Sequence, residues 1–114
     1  MSNYIDGTYT VHFDSATDYG AGVITVSDLT VTGGDCGFIY TGEFREHGDL
    51  IVGLLHVRQH APGVRSIFGG LSTFDLDIQG RFNGDVGIFR GRVVGQPKMA
   101  MQVMLKKVSR LAAE

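Results

Sequence analysis

Hydrophobic and polar residues alternate along most of the chain with a period of two, which is the pattern of a β-strand that buries one face. The clearest case lies between residues 74 and 82, where apolar side chains at 74, 76, 78 and 82 alternate with Asp, Gln and Arg. Comparable patterns predict strands over residues 7–13, 21–27, 29–32, 36–45, 50–60, 74–82, 86–94 and 99–108. The chain is therefore predicted to be all-β, with about eight short antiparallel strands.

Short turn signals separate these segments. Asn83-Gly84 is a strong signal for a two-residue hairpin. The glycines at positions 20 and 22, and those at 33 and 34, are also interpreted as turns, because glycine tolerates positive φ. The one long connection contains Pro62, which suits the first turn of a helix, and Gly69-Gly70, which would end it. This connection predicts one short helix near residues 62–70.

Glycine also recurs on faces that otherwise carry large apolar side chains. Inside a strand, glycine weakens packing unless the sheet must bend sharply or another backbone comes close. Small closed barrels need such bends. The glycines concerned are Gly7, Gly42, Gly80, Gly87 and Gly91. They favour an eight-stranded up-and-down barrel over a flat sandwich.

Length and charge narrow the class of protein further. The 114 residues are predicted to form a single domain, residues 1–114. The net charge of −2 gives no field that would draw the protein onto nucleic acid or an anionic membrane. The N-terminal residues lack the basic and apolar regions of a signal peptide, so a cytoplasmic protein is expected.

Candidate catalytic and metal-binding residues are few. His56 and His60 would lie about 13 Å apart along a strand, which disfavours a shared metal ion. Asp75 and Asp77 are placed on the solvent face, and Cys36 is expected to be a small buried apolar residue. No nucleophile and base are paired and no phosphate-binding loop opens a helix. The protein is therefore predicted to be no enzyme, with no cofactor and no metal.

The inward faces of the predicted strands are rich in aromatic and methionine side chains. Eight strands leave room for packed side chains or for one small ligand, and a packed interior is favoured over a large pocket. The residues that would line an apolar cavity, if the barrel holds one, are Tyr9, Phe38, Tyr40, Phe74, Phe89, Met99 and Met101.

Several short sequence motifs follow one another along the first half of the chain. They are Asp6-Gly7 with Tyr9 and Phe13, Gly20 with Gly22, Thr32-Gly33-Gly34-Asp35, Tyr40 with Gly42, and Asp49 with Ile51. In order and spacing, this half of the chain, residues 6–60, resembles the GrlR family, small negative regulators of type III secretion genes in bacteria. After residue 62 the similarity is one of architecture only. The resemblance implies a lipocalin-like barrel with a short helix, usually a homodimer, that holds a transcriptional activator inactive through protein contact.

The activator-binding turn of that family is acidic, and the resemblance places it at residues 46–49. Glu46 and Asp49 keep the negative charge, whereas His47 and Gly48 interrupt it. The implied partner-binding residues are therefore Glu46, His47 and Asp49. The strand from Leu50 to Leu55 is apolar on both faces, and a second subunit could cover the outer one. The alternative function is a lipocalin-like barrel that binds a small apolar or lipid ligand.

Overall fold

The computed structural model describes residues 4–16, 18–61, 63 and 71–109, and antiparallel strands account for most of them. Each strand pairs with the next in the chain, and the last strand pairs with the first, so the sheet closes into an eight-stranded up-and-down barrel. The predicted fold class is confirmed. The strands are β1 (Gly7–Asp14), β2 (Tyr19–Ser27), β3 (Thr30–Gly34), β4 (Phe38–His47), β5 (Leu50–Gln59), β6 (Thr73–Asn83), β7 (Val86–Val93) and β8 (Gln96–Ser109).

The short helix predicted near residues 62–70 falls, apart from Gly63, outside the described residues. Among the residues that are described, no helix is long and apolar enough to cross a membrane.

Two glycine pairs interpreted as turns lie inside strands, so that interpretation is wrong. Gly20 and Gly22 belong to β2, and Gly33 and Gly34 end β3. A Cβ atom on Gly33 would lie 2.1 Å from the carbonyl oxygen of Val23 on the neighbouring strand. At this position glycine lets two backbones approach closely where the sheet bends, which is a different reason for the residue than a turn.

Burial alternates along the strands as the pattern predicts. In β7, Phe89 and Val93 are buried, whereas Ile88, Arg90 and Arg92 are exposed. The same alternation in the other strands directs the aromatic and aliphatic side chains into the barrel, where they form one continuous core.

Because consecutive strands run in opposite directions, the connections alternate between two ends of the barrel. We call the end that carries residues 4–6 and the β2–β3, β4–β5 and β6–β7 turns the closed end. The other end, with the β1–β2, β3–β4, β5–β6 and β7–β8 connections, is the open end.

An aromatic cluster fills the closed end. The ring of Phe82 packs against Tyr9 and Phe89, with ring centroids 5.5 and 5.4 Å apart, and Phe44 stacks on Phe89 at 5.7 Å. Ile5 is also buried there, and the Tyr9 hydroxyl donates a 2.6 Å hydrogen bond to its carbonyl oxygen. The segment before β1 is thereby bound to the core, and this end of the barrel is densely packed.

The apolar start of β5 has different environments on its two faces. Ile51 points into the barrel and is fully buried. Leu54 points outward and keeps 37 % of its surface exposed. The outer face of β5 at Leu54 is thus available for a further contact. The predicted homodimer stays a prediction.

An apolar cavity at the open end

The interior of the barrel is not filled towards the open end. A cavity of about 230 Å³ lies there between residues of β1, β2, β4, β5, β6 and β8. Its wall is predominantly apolar, formed by Val11, Phe13, Ile24, Phe38, Tyr40, Phe44, Leu55, Val57, Phe74, Leu76, Ile78, Met101, Val103 and Leu105. Phe44 belongs both to this wall and to the aromatic cluster, so the cluster forms the floor of the cavity.

Four of the seven predicted lining residues meet at this cavity, namely Phe38, Tyr40, Phe74 and Met101. Tyr9 and Phe89 face inward as expected, but they belong to the aromatic cluster of the closed end. Met99 is half-buried against the core and does not line the cavity. The β7–β8 ladder is irregular between Arg92 and Val93, and Met99 lies beyond its regular part.

The sequence analysis missed the polar residues at the opening of the cavity, which we call the mouth. Asp18 and Tyr19, at the start of β2, and Asp35 and Cys36, between β3 and β4, all line the cavity. Asp18, Asp35 and Cys36 belong to connections and Tyr19 is the first residue of its strand, and at such positions alternation does not specify which way a side chain points. The TGGD string ending at Asp35 was a usable signal, because it marks the start of that connection.

Cys36 is exposed, contrary to the prediction that it is buried. The residue precedes β4 and sits in the turn, outside the part of the chain where alternation controls burial. It is the only cysteine of the chain, and its thiol is free.

Asp35 organises the turn beside the mouth. Its Oδ1 atom accepts hydrogen bonds from the backbone N–H groups of Gly37 (2.9 Å) and Phe38 (2.8 Å). The carbonyl oxygen of Asp35 contacts Nε2 of His60 at 3.0 Å, and the His60 N–H donates to the Gly37 carbonyl oxygen. The turn is therefore fixed both internally and to the end of β5.

Tyr40 connects this turn to the cavity wall. Its ring lines the cavity, only 8 % of the residue is exposed, and its hydroxyl donates a hydrogen bond to Oδ2 of Asp35. Burial, followed by the hydrogen bond to Asp35 and the charges of Asp35 and Cys36, raises the pKa of Tyr40 far above its ordinary value. The phenol therefore stays protonated at neutral pH and donates its hydrogen to the carboxylate.

The histidine and aspartate residues that the sequence analysis considered as metal ligands or paired carboxylates do not line the cavity. His56 lies opposite Asp75 across the β5–β6 ladder, and Nδ1 and Oδ1 are 2.7 Å apart on the outer surface. Asp77 is exposed further along β6, and His60 contacts the β3–β4 turn. In the part of the chain that the structure describes, no three His, Cys, Asp or Glu side chains are grouped as metal ligands.

The predicted partner-binding residues lie at the opposite end of the barrel. Glu46, His47 and Asp49 are all exposed at the β4–β5 turn of the closed end. Asp49 forms a 3.4 Å contact with Arg81, and both side chains are mostly exposed. The turn and the cavity are therefore two separate surfaces.

The chain matches no protein-family model and no curated protein sequence.

Proposed function

We propose that the protein is a non-catalytic binding protein that takes up one small, mostly apolar molecule in the cavity at the open end. The observation that carries this proposal is the apolar cavity itself, about 230 Å³ in volume. A cavity of about 150 Å³ suffices for benzene, and pockets for drug-sized ligands begin at about 300 Å³. The volume therefore suits a ligand of about nine or ten non-hydrogen atoms.

The contrast between the two ends supports a binding role. Protein interiors are normally close-packed, and an unfilled cavity costs about 24 cal/mol per Å³ in core-truncation variants. The aromatic cluster of Tyr9, Phe44, Phe82 and Phe89 fills the closed end of the same barrel. The fold can therefore be packed, and the space left at the open end is best explained by a ligand that occupies it.

A substitution that fills the cavity tests this proposal. Val103 is buried and lines the cavity from β8, so Val103→Phe should occupy the space that a ligand needs. We expect Val103→Phe to weaken the binding of 1-octanol, measured by titration calorimetry, by at least about tenfold. The barrel should stay folded, because the cavity can accept the larger ring.

The neighbouring residue provides a matched control. Met104 points outward and keeps 47 % of its surface exposed, so Met104→Phe should leave the affinity for 1-octanol unchanged. Equal loss of binding in the two variants, or binding unaffected by Val103→Phe, would count against the cavity as the binding site.

A second candidate function is regulation through a protein partner, as the resemblance to the GrlR family implies. The observation that favours it is the exposure of Glu46, His47 and Asp49 together at one turn. Acidic side chains at a tip suit a basic partner surface, such as that of a transcriptional activator. The same proposal includes a homodimer in which a second subunit covers the outward face of Leu54.

Charge removal at the turn tests this second candidate. A Glu46→Gln, Asp49→Asn double variant should lose one specific protein that the unaltered chain retains in a pull-down from the native host. Asp77→Asn, which removes an exposed charge from β6, should retain that protein. If all three baits retain the same proteins, the turn is not the partner site.

A further inference from the structure

The geometry points to the chemical class of the ligand: we propose that the cavity prefers small apolar amines in their protonated form and rejects carboxylates of the same length. This inference rests on the proposed function, because it requires that the cavity takes up a ligand. It adds that the mouth recognises one end of that ligand, by charge and by hydrogen bonding.

The charged side chains that the structure describes at the mouth have one sign. Asp18 and Asp35 are the charged residues among the described lining side chains, and no described Lys, Arg or His lines the cavity. An ionised carboxylate ligand would bring a third negative charge to this place, whereas an ammonium group would be attracted by both carboxylates.

The hydrogen-bonding atoms that Asp35 and Tyr40 present at the mouth are acceptors. Oδ1 of Asp35 already accepts two backbone N–H groups, and Oδ2 accepts the hydrogen of the Tyr40 hydroxyl. Each carboxylate oxygen can accept about two hydrogen bonds, so Oδ2 keeps room for one more donor. Tyr40 has donated its hydrogen, and its oxygen can therefore offer only lone pairs to a ligand.

The described backbone N–H groups beside the two carboxylates are already occupied. The N–H groups of Gly37 and Phe38 bond to Asp35, and the N–H of Tyr19 bonds to the carboxylate of Asp18 at 2.8 Å. A ligand acceptor would have to compete with these bonds, whereas a ligand donor finds unused lone pairs. The mouth is thus complementary to an ammonium group, and more weakly to a hydroxyl.

The apolar wall makes this preference stronger than it would be on an open surface. Charge interactions gain strength where low-polarity groups replace water. Phe38 and the ring of Tyr40 adjoin Asp35 and line the cavity, so one side of the carboxylate faces an apolar region. A ligand whose chain fills the cavity would place its amine at this boundary.

Three ligands with the same eight-carbon chain separate the charge preference from apolar binding. We would titrate the full chain at pH 7 with octylamine, 1-octanol and octanoate, using calorimetry. Octylamine is expected to bind at least about tenfold more tightly than octanoate, with 1-octanol between them, as for hydrogen bonds to charged groups. If 1-octanol binds but octylamine binds no more tightly than octanoate, the inference is overturned and the proposed function stands. If none of the three binds, the proposed function itself fails.

Two substitutions locate the preference. Asp35→Asn keeps the shape of the side chain and removes its charge, so the ratio of octylamine to octanoate affinity should fall towards one while 1-octanol still binds. Asp18→Asn, at an exposed position, should reduce the ratio by a smaller factor. Asp49→Asn, at the closed end, is the control and should leave the ratio unchanged. A ratio that stays the same in both mouth variants would contradict the assignment.

Discussion

Replacing Gly80 by valine is expected to lower the free energy of unfolding by more than about 3 kcal/mol, the upper end of the usual cost of overpacking. A Cβ atom at this position would lie 2.1 Å from the carbonyl oxygen of Ile88 and 2.7 Å from the Cα atom of Phe89. Both are backbone atoms of the paired strand β7, so no side-chain rotation can relieve the contact. The variant must separate the two strands or distort the barrel.

The adjacent residue supplies the control for this prediction. Gln79 is exposed on the outer face of β6, where a β-branched residue suits a strand, so Gln79→Val should change stability by less than about 0.5 kcal/mol. In thermal unfolding, the difference between the two variants should be at least about 10 °C, at about 4 °C for each kcal/mol. Equal melting temperatures would show that the backbone of β7 does not approach Gly80 this closely.

Phe89→Ala is expected to cost about 3–5 kcal/mol of stability, as for other buried aromatic residues. Phe89 is 1 % exposed, stacks on Phe44 and packs edge-on against Phe82. Its removal would leave a cavity in the middle of the aromatic cluster and would eliminate both ring contacts. Denaturant unfolding should therefore show a lower midpoint with a similar slope.

The residue before Phe89 tests whether the loss comes from burial. Ile88 points outward with 54 % of its surface exposed, so Ile88→Ala should cost less than about 1 kcal/mol. Should the Phe89 variant lose no more stability than the Ile88 variant, the closed end could not be the packed part of the barrel.

The strands could be predicted from the sequence because period-two alternation reflects a physical requirement. A strand with one buried face must place apolar groups at every second position, and β6 and β7 do so with Leu76, Ile78, Phe89 and Val93. The hairpin between β6 and β7 was predictable to within one residue for a similar reason: Asn83 ends β6, and the turn is Gly84-Asp85, with Gly84 at a φ of 63°. These features depend on local chemistry alone.

The location of the cavity could not be predicted in the same way. Alternation specifies which face a residue occupies but not how far along the barrel axis it lies. Tyr9 and Phe38 both face inward, yet Tyr9 joins the closed-end cluster and Phe38 lines the cavity. That difference follows from strand direction and register, which join residues distant in the sequence.

The polar residues at the mouth of the cavity could not be predicted from the sequence pattern for a different reason. Asp35 and Cys36 lie in a connection, and hydrogen bonds within the turn orient the Asp35 side chain. Cys36 is exposed because the turn carries it beyond the end of the strand, although its position continues the alternation of β4. A pattern based on burial in a sheet has no information about such residues.

The most direct test of the account is a titration of the full chain with 1-octanol, observed through ¹³C-labelled methionine methyl groups by NMR. Met101 lines the cavity, and Met104 lies three residues further along the same strand on the outer surface. The cavity account predicts a saturable shift of the Met101 methyl signal while the Met104 signal stays in place. An unchanged Met101 signal, or equal non-saturating shifts of both signals, would contradict it.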